Sequence, residues 1–182
     1  MKRIIFSLRL LALATTLAVG AGLSACNKET DFQKQLRQQE EAARKTDDDA
    51  IQAYLKRHNI TDYTRTESGL YLVTLAENTS VTEKIKSGQR VTTNYVGRFI
   101  GETTENAIFD ASSNNRTACG CLSFTVGANS VVKGWEEAIL LMKKGDRKLL
   151  LIPSHLGYGA QAQGNIPPFT PLSFDIEVLD VQ

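Results

Sequence analysis

The sequence predicts an α+β domain in which an antiparallel sheet wraps on one short helix, preceded by a helical N-terminal segment. Three observations predict it. Trp135, Ala138, Ile139 and Met142 recur at i, i+3, i+4 and i+7, one face of a short amphipathic helix. Leu172, Phe174, Ile176 and Val178 alternate with Ser173, Asp175 and Glu177, as in a strand with one face on a core. Val91 to Phe99 is rich in β-branched and aromatic residues, which suit a pleated, half-buried surface.

The chain has 182 residues, a length that fits one globular domain with extensions. Lys and Arg number 21 against 20 Asp and Glu, so nothing draws the chain to nucleic acid or another polyanion. Lys2, Arg3 and Arg9 are the only charges in the first 25 residues, and Ile4 to Leu23 is otherwise mainly apolar. A basic start, an apolar run and small residues after it read as a targeting segment. It ends in Leu23-Ser24-Ala25-Cys26. This resembles the lipobox of bacterial lipoproteins, which implies that Cys26 is acylated and becomes the mature N-terminus. The alternatives are an ordinary secretory signal with an incidental cysteine, or an uncleaved anchor. Acyl chains bury methylenes at ~0.8 kcal/mol each, and more than one chain holds a soluble domain stably on a membrane. The resemblance implies the cell envelope. Asn27 after the cysteine points to the outer membrane facing the periplasm, and the acidic stretch soon after it to the cell surface as the alternative.

The division expected is a signal peptide at 1–25, a lipidated polar tether with helical segments at 26–66, and a folded domain at 67–182. Residues 27 to 45 are polar, built of good helix formers and free of Gly and Pro, and read as a solvated, partly helical tether. Thr46 to Asp49 supply N-cap candidates for a second helix. Ile51, Tyr54, Leu55 and His58 then recur at helical spacing, giving a helix over 47–58 with one apolar edge for the domain or a partner protomer. Strands follow at Leu70–Leu75, Val91–Phe99, Phe124–Val126, Lys148–Ile152 (stopped by Pro153) and the final alternating segment. The helix carrying Trp135 is expected to end at Gly145-Asp146. Cys119 and Cys121 form a Cys-Gly-Cys that an oxidising compartment could pair across a very small, easily reduced ring. A loop disulfide and two free thiols both stay open, neither with a catalytic role. His58 and His155 lie far from this pair in sequence, so no metal or other cofactor is expected.

Several short strings then appear in order: Asn94-Tyr95-Val96-Gly97, Phe109-Asp110-Ala111-Ser112-Ser113, Phe124-Thr125-Val126-Gly127, Val131-Val132-Lys133-Gly134-Trp135-Glu136-Glu137-Ala138, Leu156-Gly157-Tyr158-Gly159-Ala160, Ile166-Pro167-Pro168, and Leu172 to Val178. Together they closely resemble the FKBP-type peptidyl-prolyl cis/trans isomerase domain, over roughly residues 69–182. The resemblance implies a curved antiparallel sheet around a short helix, with an apolar pocket between them. It implies Trp135 as floor, Tyr95, Phe109 and Phe174 as aromatic walls, Asp110 at the rim, and Val131, Val132 and Ile166 as substrate contacts. The Val132 N–H and the Tyr158 hydroxyl would bond substrate carbonyls. Those residue types suit the chemistry. Rotating an Xaa-Pro bond breaks no bond but must overcome amide resonance, a barrier of ~20 kcal/mol. A dry apolar pocket with few donors favours the twisted state, and no nucleophile is needed.

The chain departs from the family pattern at Leu122, where an aromatic is common, at Ser130, where an acid often stands, and at Asn165 in a loop one residue shorter. The segment Asn114 to Gly120 is particular to this chain. Proline-containing polypeptides are the implied substrates and a macrolide a candidate ligand. The expected function is a membrane-tethered isomerase assisting the folding of exported proteins. A non-catalytic binding module or chaperone, and a structural envelope lipoprotein, are the alternatives. Reductant is expected to leave the isomerisation rate unchanged, because the cysteines are given no role.

Overall fold

The computed structural model describes residues 30–105, 107–115 and 117–182. The leader at 1–25, Cys26 and residues 27–29 lie outside the described residues.

Helix α1 runs Asp31–Arg57 without a break. It starts at a capping box: the Gln33 N–H donates to Thr30 Oγ1 at 3.2 Å, and the Thr30 N–H donates to Gln33 Oε1 at 3.0 Å. The tether helix and the helix expected over 47–58 are therefore one element. Thr46, an expected N-cap, sits mid-helix and donates its hydroxyl to the Ala42 carbonyl at 3.1 Å. The helix stops where Asn59 takes the left-handed conformation, φ 53°. Its two halves differ. Residues 31–46 are largely exposed, whereas Asp47, Ile51 and Leu55 are buried. Ile51 and Leu55 pack with Tyr71, Val73, Ile100 and Leu151, so the apolar edge meets the domain itself.

Seven strands form the sheet: β1 Thr64–Arg65, β2 Tyr71–Ala76, β3 Arg90–Phe99, β4 Ile108–Ala111, β5 Leu122–Thr125, β6 Arg147–Ile152 and β7 Leu172–Val181. All pairings are antiparallel, in the order β1-β2-β6-β7-β3-β4, with β5 also on β3. β3 pairs with β7 from Val91↔Val181 to Phe99↔Leu172, and divides its other edge between β5 and β4. β1 has only two residues and β4 exposes Ile108, so neither carries the alternation that marks a strand in sequence.

Helix α2, Lys133–Ile139, packs Trp135, Ala138 and Ile139 against Leu72, Val91, Leu150, Phe174 and Ile176. The expected α+β architecture is present, with an addition: near β2 and β6 the sheet is covered on both faces. Leu70, Leu72, Leu150 and Ile152 join the cluster of α2, and Tyr71, Val73, Leu149 and Leu151 that of α1. That explains why these two strands read as continuous apolar runs. It also explains Ser173, expected to face outward yet buried. It is in register with Leu151 beneath α1, and its hydroxyl donates to the Arg98 carbonyl at 3.1 Å.

α2 ends six residues before Gly145. The Leu141 N–H donates to the Ala138 carbonyl at 2.9 Å and the Met142 N–H to Ile139 at 3.0 Å, three-residue bonds that tighten the chain out of the helix. Met142 is still fully buried. Gly145 and Asp146 make a separate turn in which the Asp146 carboxylate accepts the N–H groups of Asn78 and Lys143, both at 2.9 Å.

Candidate functional site

A cavity of about 180 Å³ opens beside the N-terminal turn of α2. Of the residues expected at the site, Tyr95, Asp110, Val131, Val132, Trp135, Tyr158 and Phe174 line it. Leu122 and Ser130, which stood out only as departures from the family pattern, line it too. Trp135, 3% exposed, stands edge-on to Tyr95 at 5.0 Å and to Phe174 at 5.3 Å between centroids. Edge-to-face packing places the positive rim of one ring on the negative face of another. The Trp135 indole N–H has no acceptor among the described residues.

The strands set the walls. Tyr95 points inward from β3, and its hydroxyl donates to Asp110 Oδ2 at 2.6 Å. Asp110 on β4 is held in turn, its Oδ1 accepting the Ala111 N–H at 2.8 Å. Gly97 lies opposite both Asp110 and Phe174 in register. A Cβ on Gly97 would come within 2.6 Å of the Phe109 ring and 3.0 Å of the Phe174 ring. The missing side chain therefore makes the room in which these two rings meet edge-on at 5.3 Å. Phe109 fills that space, packing on Phe174 and Phe99, and stands behind the cavity wall instead of lining it. Ile166 is also set back. The two hydrogen bonds it exchanges with Gln163 close a tight turn, and the side chain packs into the core.

Val132 is the N-cap of α2, and its carbonyl accepts the Trp135 N–H at 2.9 Å. Its own N–H precedes the helix ladder and is not consumed by it. Tyr158 is carried by a loop in which Gly159 takes φ 61°, a conformation that suits glycine. Burial, and then the Asp110 charge, push the Tyr158 phenol above its ordinary range. Burial also pushes Tyr95 up, helped by its bond to Asp110. Both hydroxyls therefore stay protonated, as donors, beyond the pH of about 10 at which a free tyrosine ionises. The isomerisation rate should accordingly be free of any phenol titration between about pH 6 and 9.5. A rate measured across that range with a downward inflection that vanishes in Tyr158→Phe would contradict this.

Cys119 and Cys121 are joined as a disulfide, Cα–Cα 5.2 Å. Neither lines the cavity: Cys119 borders a neighbouring hollow that shares Tyr95 with it, while Cys121 is buried. The expectation of equal rates with and without reductant therefore stands as a prediction for a simple exchange measurement. No group of three or more His, Cys, Asp or Glu side chains that could hold a metal occurs among the described residues.

Residues 81–179 match the model of the FKBP-type peptidyl-prolyl cis-trans isomerase family, more than half of the chain. The chain belongs to the FKBP family. The FK506-binding protein of Neisseria meningitidis serogroup A is 39% identical over 95 residues, which is 52% of this chain and 81% of that protein. The macrophage infectivity potentiator of Trypanosoma cruzi is 38% identical over 85 residues, 46% of this chain and 41% of that one. Other FKBP relatives are far longer. The match spans only 6% of FK506-binding protein 5 of Dictyostelium discoideum and 19% of FK506-binding protein 4 of Chaetomium thermophilum. Among solved structures, a peptidyl-prolyl cis-trans isomerase from Pseudomonas syringae superposes with a TM-score of 0.61 at 29% identity, covering 78% of this chain and 95% of that chain. FkpA from Escherichia coli gives a TM-score of 0.61 at 27% identity, covering 82% of this chain and 64% of that one. This FKBP chain thus shares its fold with both bacterial proteins across most of its length.

Proposed function

We propose that this FKBP domain catalyses cis/trans isomerisation of Xaa-Pro bonds, with exported polypeptides as substrates, while lipid on Cys26 holds it on a membrane of the cell envelope. The observation that carries the catalytic part is the aromatic-floored cavity, in which Trp135 stands edge-on to Tyr95 and Phe174. A proline ring fits a surface of that kind. Loss of amide resonance in the twisted state reduces charge separation, so a dry apolar cavity favours it over the planar states. The Val132 N–H and the Tyr158 hydroxyl supply fixed donors to the flanking carbonyls. Preorganised donors of this kind stabilise a transition state without reorganising.

The envelope part rests on the apolar leader and the Leu23-Ser24-Ala25-Cys26 string. Asn27 supports the outer membrane, facing the periplasm. The 27 residues of α1, at about 1.5 Å each, give a rod of about 40 Å whose exposed first half holds the cavity away from the lipid. Among the described residues no helix is long and apolar enough to cross a membrane. Leu122 and Ser130 at the cavity favour a second reading, a binding module with an altered rim and little catalysis, and macrolides are candidate ligands under either.

Exchange of a short Xaa-Pro peptide measured by NMR with the full chain tests the proposal. Exchange well above the uncatalysed rate is expected. Tyr158→Phe should lower it roughly fivefold, the scale of one hydrogen bond at about 1 kcal/mol. No acceleration by the folded chain would leave the binding-module reading in its place.

A further inference from the structure

Asp47 is an acidic residue on a helix, 1% exposed, and it lies on α1 far in sequence from every cavity residue. An acid is almost never fully buried without a partner. Its partner is Ser154, 107 residues away: the Ser154 N–H and hydroxyl both donate to Asp47 Oδ2, at 2.8 and 2.6 Å. Ser154 opens a short 3-10 turn, Ser154–Leu156, that leads directly into the Tyr158 loop. Its carbonyl accepts two further bonds, from the Gly157 N–H at 2.9 Å and the Gly159 N–H at 2.8 Å. Those two glycines bracket Tyr158. Ser154 is therefore a node, with both donors committed to α1 and its acceptor committed to the residues on each side of Tyr158.

We propose that Asp47 is a positioning residue for the isomerase site, fixing from the N-terminal helix the loop that presents Tyr158 to the cavity. This rests on the isomerase reading above and names a part of the machinery outside the cavity. The next residue, His155, is tied separately, its Nε2 donating to the Ser68 carbonyl at 2.9 Å, while the Ser68 hydroxyl donates to Glu137 on α2 at 2.7 Å. The loop is thus clamped from both helices. The bond from α1 is the one that reaches the node directly. Asp47 Oδ1 has no partner among the described residues, so one oxygen carries the whole interaction. An amide oxygen can accept the same two bonds. Asparagine therefore preserves the clamp, and alanine removes it.

The test uses the full chain, with kcat and KM for an Xaa-Pro peptide and the NMR positions of the Gly157 and Gly159 amides. Asp47→Ala should lower kcat/KM by up to roughly fivefold, the loss expected when the Tyr158 hydroxyl itself is removed. It should shift both glycine amides and leave those of α2 in place. Asp47→Asn should restore the rate and the amide positions. In a Tyr158→Phe background the effect of Asp47→Ala should shrink to less than about twofold, because residues that act through one another are not additive. Parent-level kinetics in Asp47→Ala, unmoved glycine amides, or an undiminished loss in the Tyr158→Phe background would each overturn the proposal. Should Asp47→Ala fail to fold, Ser154→Ala removes only the 2.6 Å bond and is judged by the same shifts and the same background. A folded parent chain with no isomerase activity would overturn the functional reading alone. The glycine amides would then decide the positioning: shifted by alanine and restored by asparagine, or not.

Discussion

Trp135→Ala should remove nearly all isomerase activity and cost about 3–5 kcal/mol of stability, the range for truncating a buried aromatic. Two roles converge on this side chain. It is the floor of the cavity, and it also belongs to the cluster joining α2 to β2, β3, β6 and β7. Its truncation leaves Tyr95, Phe124 and Phe174 without the ring they pack against, at 5.0, 6.0 and 5.3 Å. Each aromatic pair is worth about 0.5–1.5 kcal/mol beyond its buried area. The enlarged cavity would admit water and lose its grip on the proline ring, so kcat/KM should fall at least tenfold even where the chain stays folded. Urea unfolding and peptide exchange on the same sample check both statements. Trp135→Phe separates them: it keeps a ring, should cost less stability, and should retain part of the rate. Parent-like exchange in a folded Trp135→Ala chain would place the site elsewhere.

How much of this could be read from the sequence depends on the range of the interactions. The final strand and α2 announce themselves because their burial alternates locally, at period two or along a helical face. The cavity residues were legible as strings in family order, and seven of them converge on one cavity although they come from β3, β4, β7, α2 and two loops. Phe109 and Ile166 belong to the same strings yet stand back from it, because the space beside Gly97 and the Gln163 turn are tertiary facts. Thr46 reads as a cap because Asp47 to Asp49 mimic a helix start, while the Thr30–Gln33 box sits in a stretch that looks merely polar. The burial of Asp47 leaves no signal in the sequence. A buried acid and an exposed one have the same letter, and its partner lies 107 residues away.

Ile51→Asp should cost at least about 3 kcal/mol, near the middle of the range for emptying a buried Ile or Leu site, because an unpaired charge must also be hydrated there. The sequence offers only one modest apolar edge on this helix, and a tether would tolerate the change within about 0.5 kcal/mol, like other surface positions. The structure argues otherwise. Ile51 is 0% exposed and meets Tyr71, Val73, Ile100 and Leu151, which would be bare on the outer face of the sheet without α1. The expected result is a lower urea midpoint and new binding of an apolar dye. Ile51 also lies one turn from Asp47 on the same buried face, so releasing this half of α1 frees Ser154 as well. Isomerisation should therefore fall by about the same factor as in Asp47→Ala, although Ile51 touches no cavity residue. A substitution at Leu36, on the exposed half of the same helix, should change neither quantity. If Ile51→Asp behaved like the Leu36 variant, α1 would be a tether along its whole length. If the two diverge as expected, the helix is structural where it meets the sheet and a spacer only before Asp47.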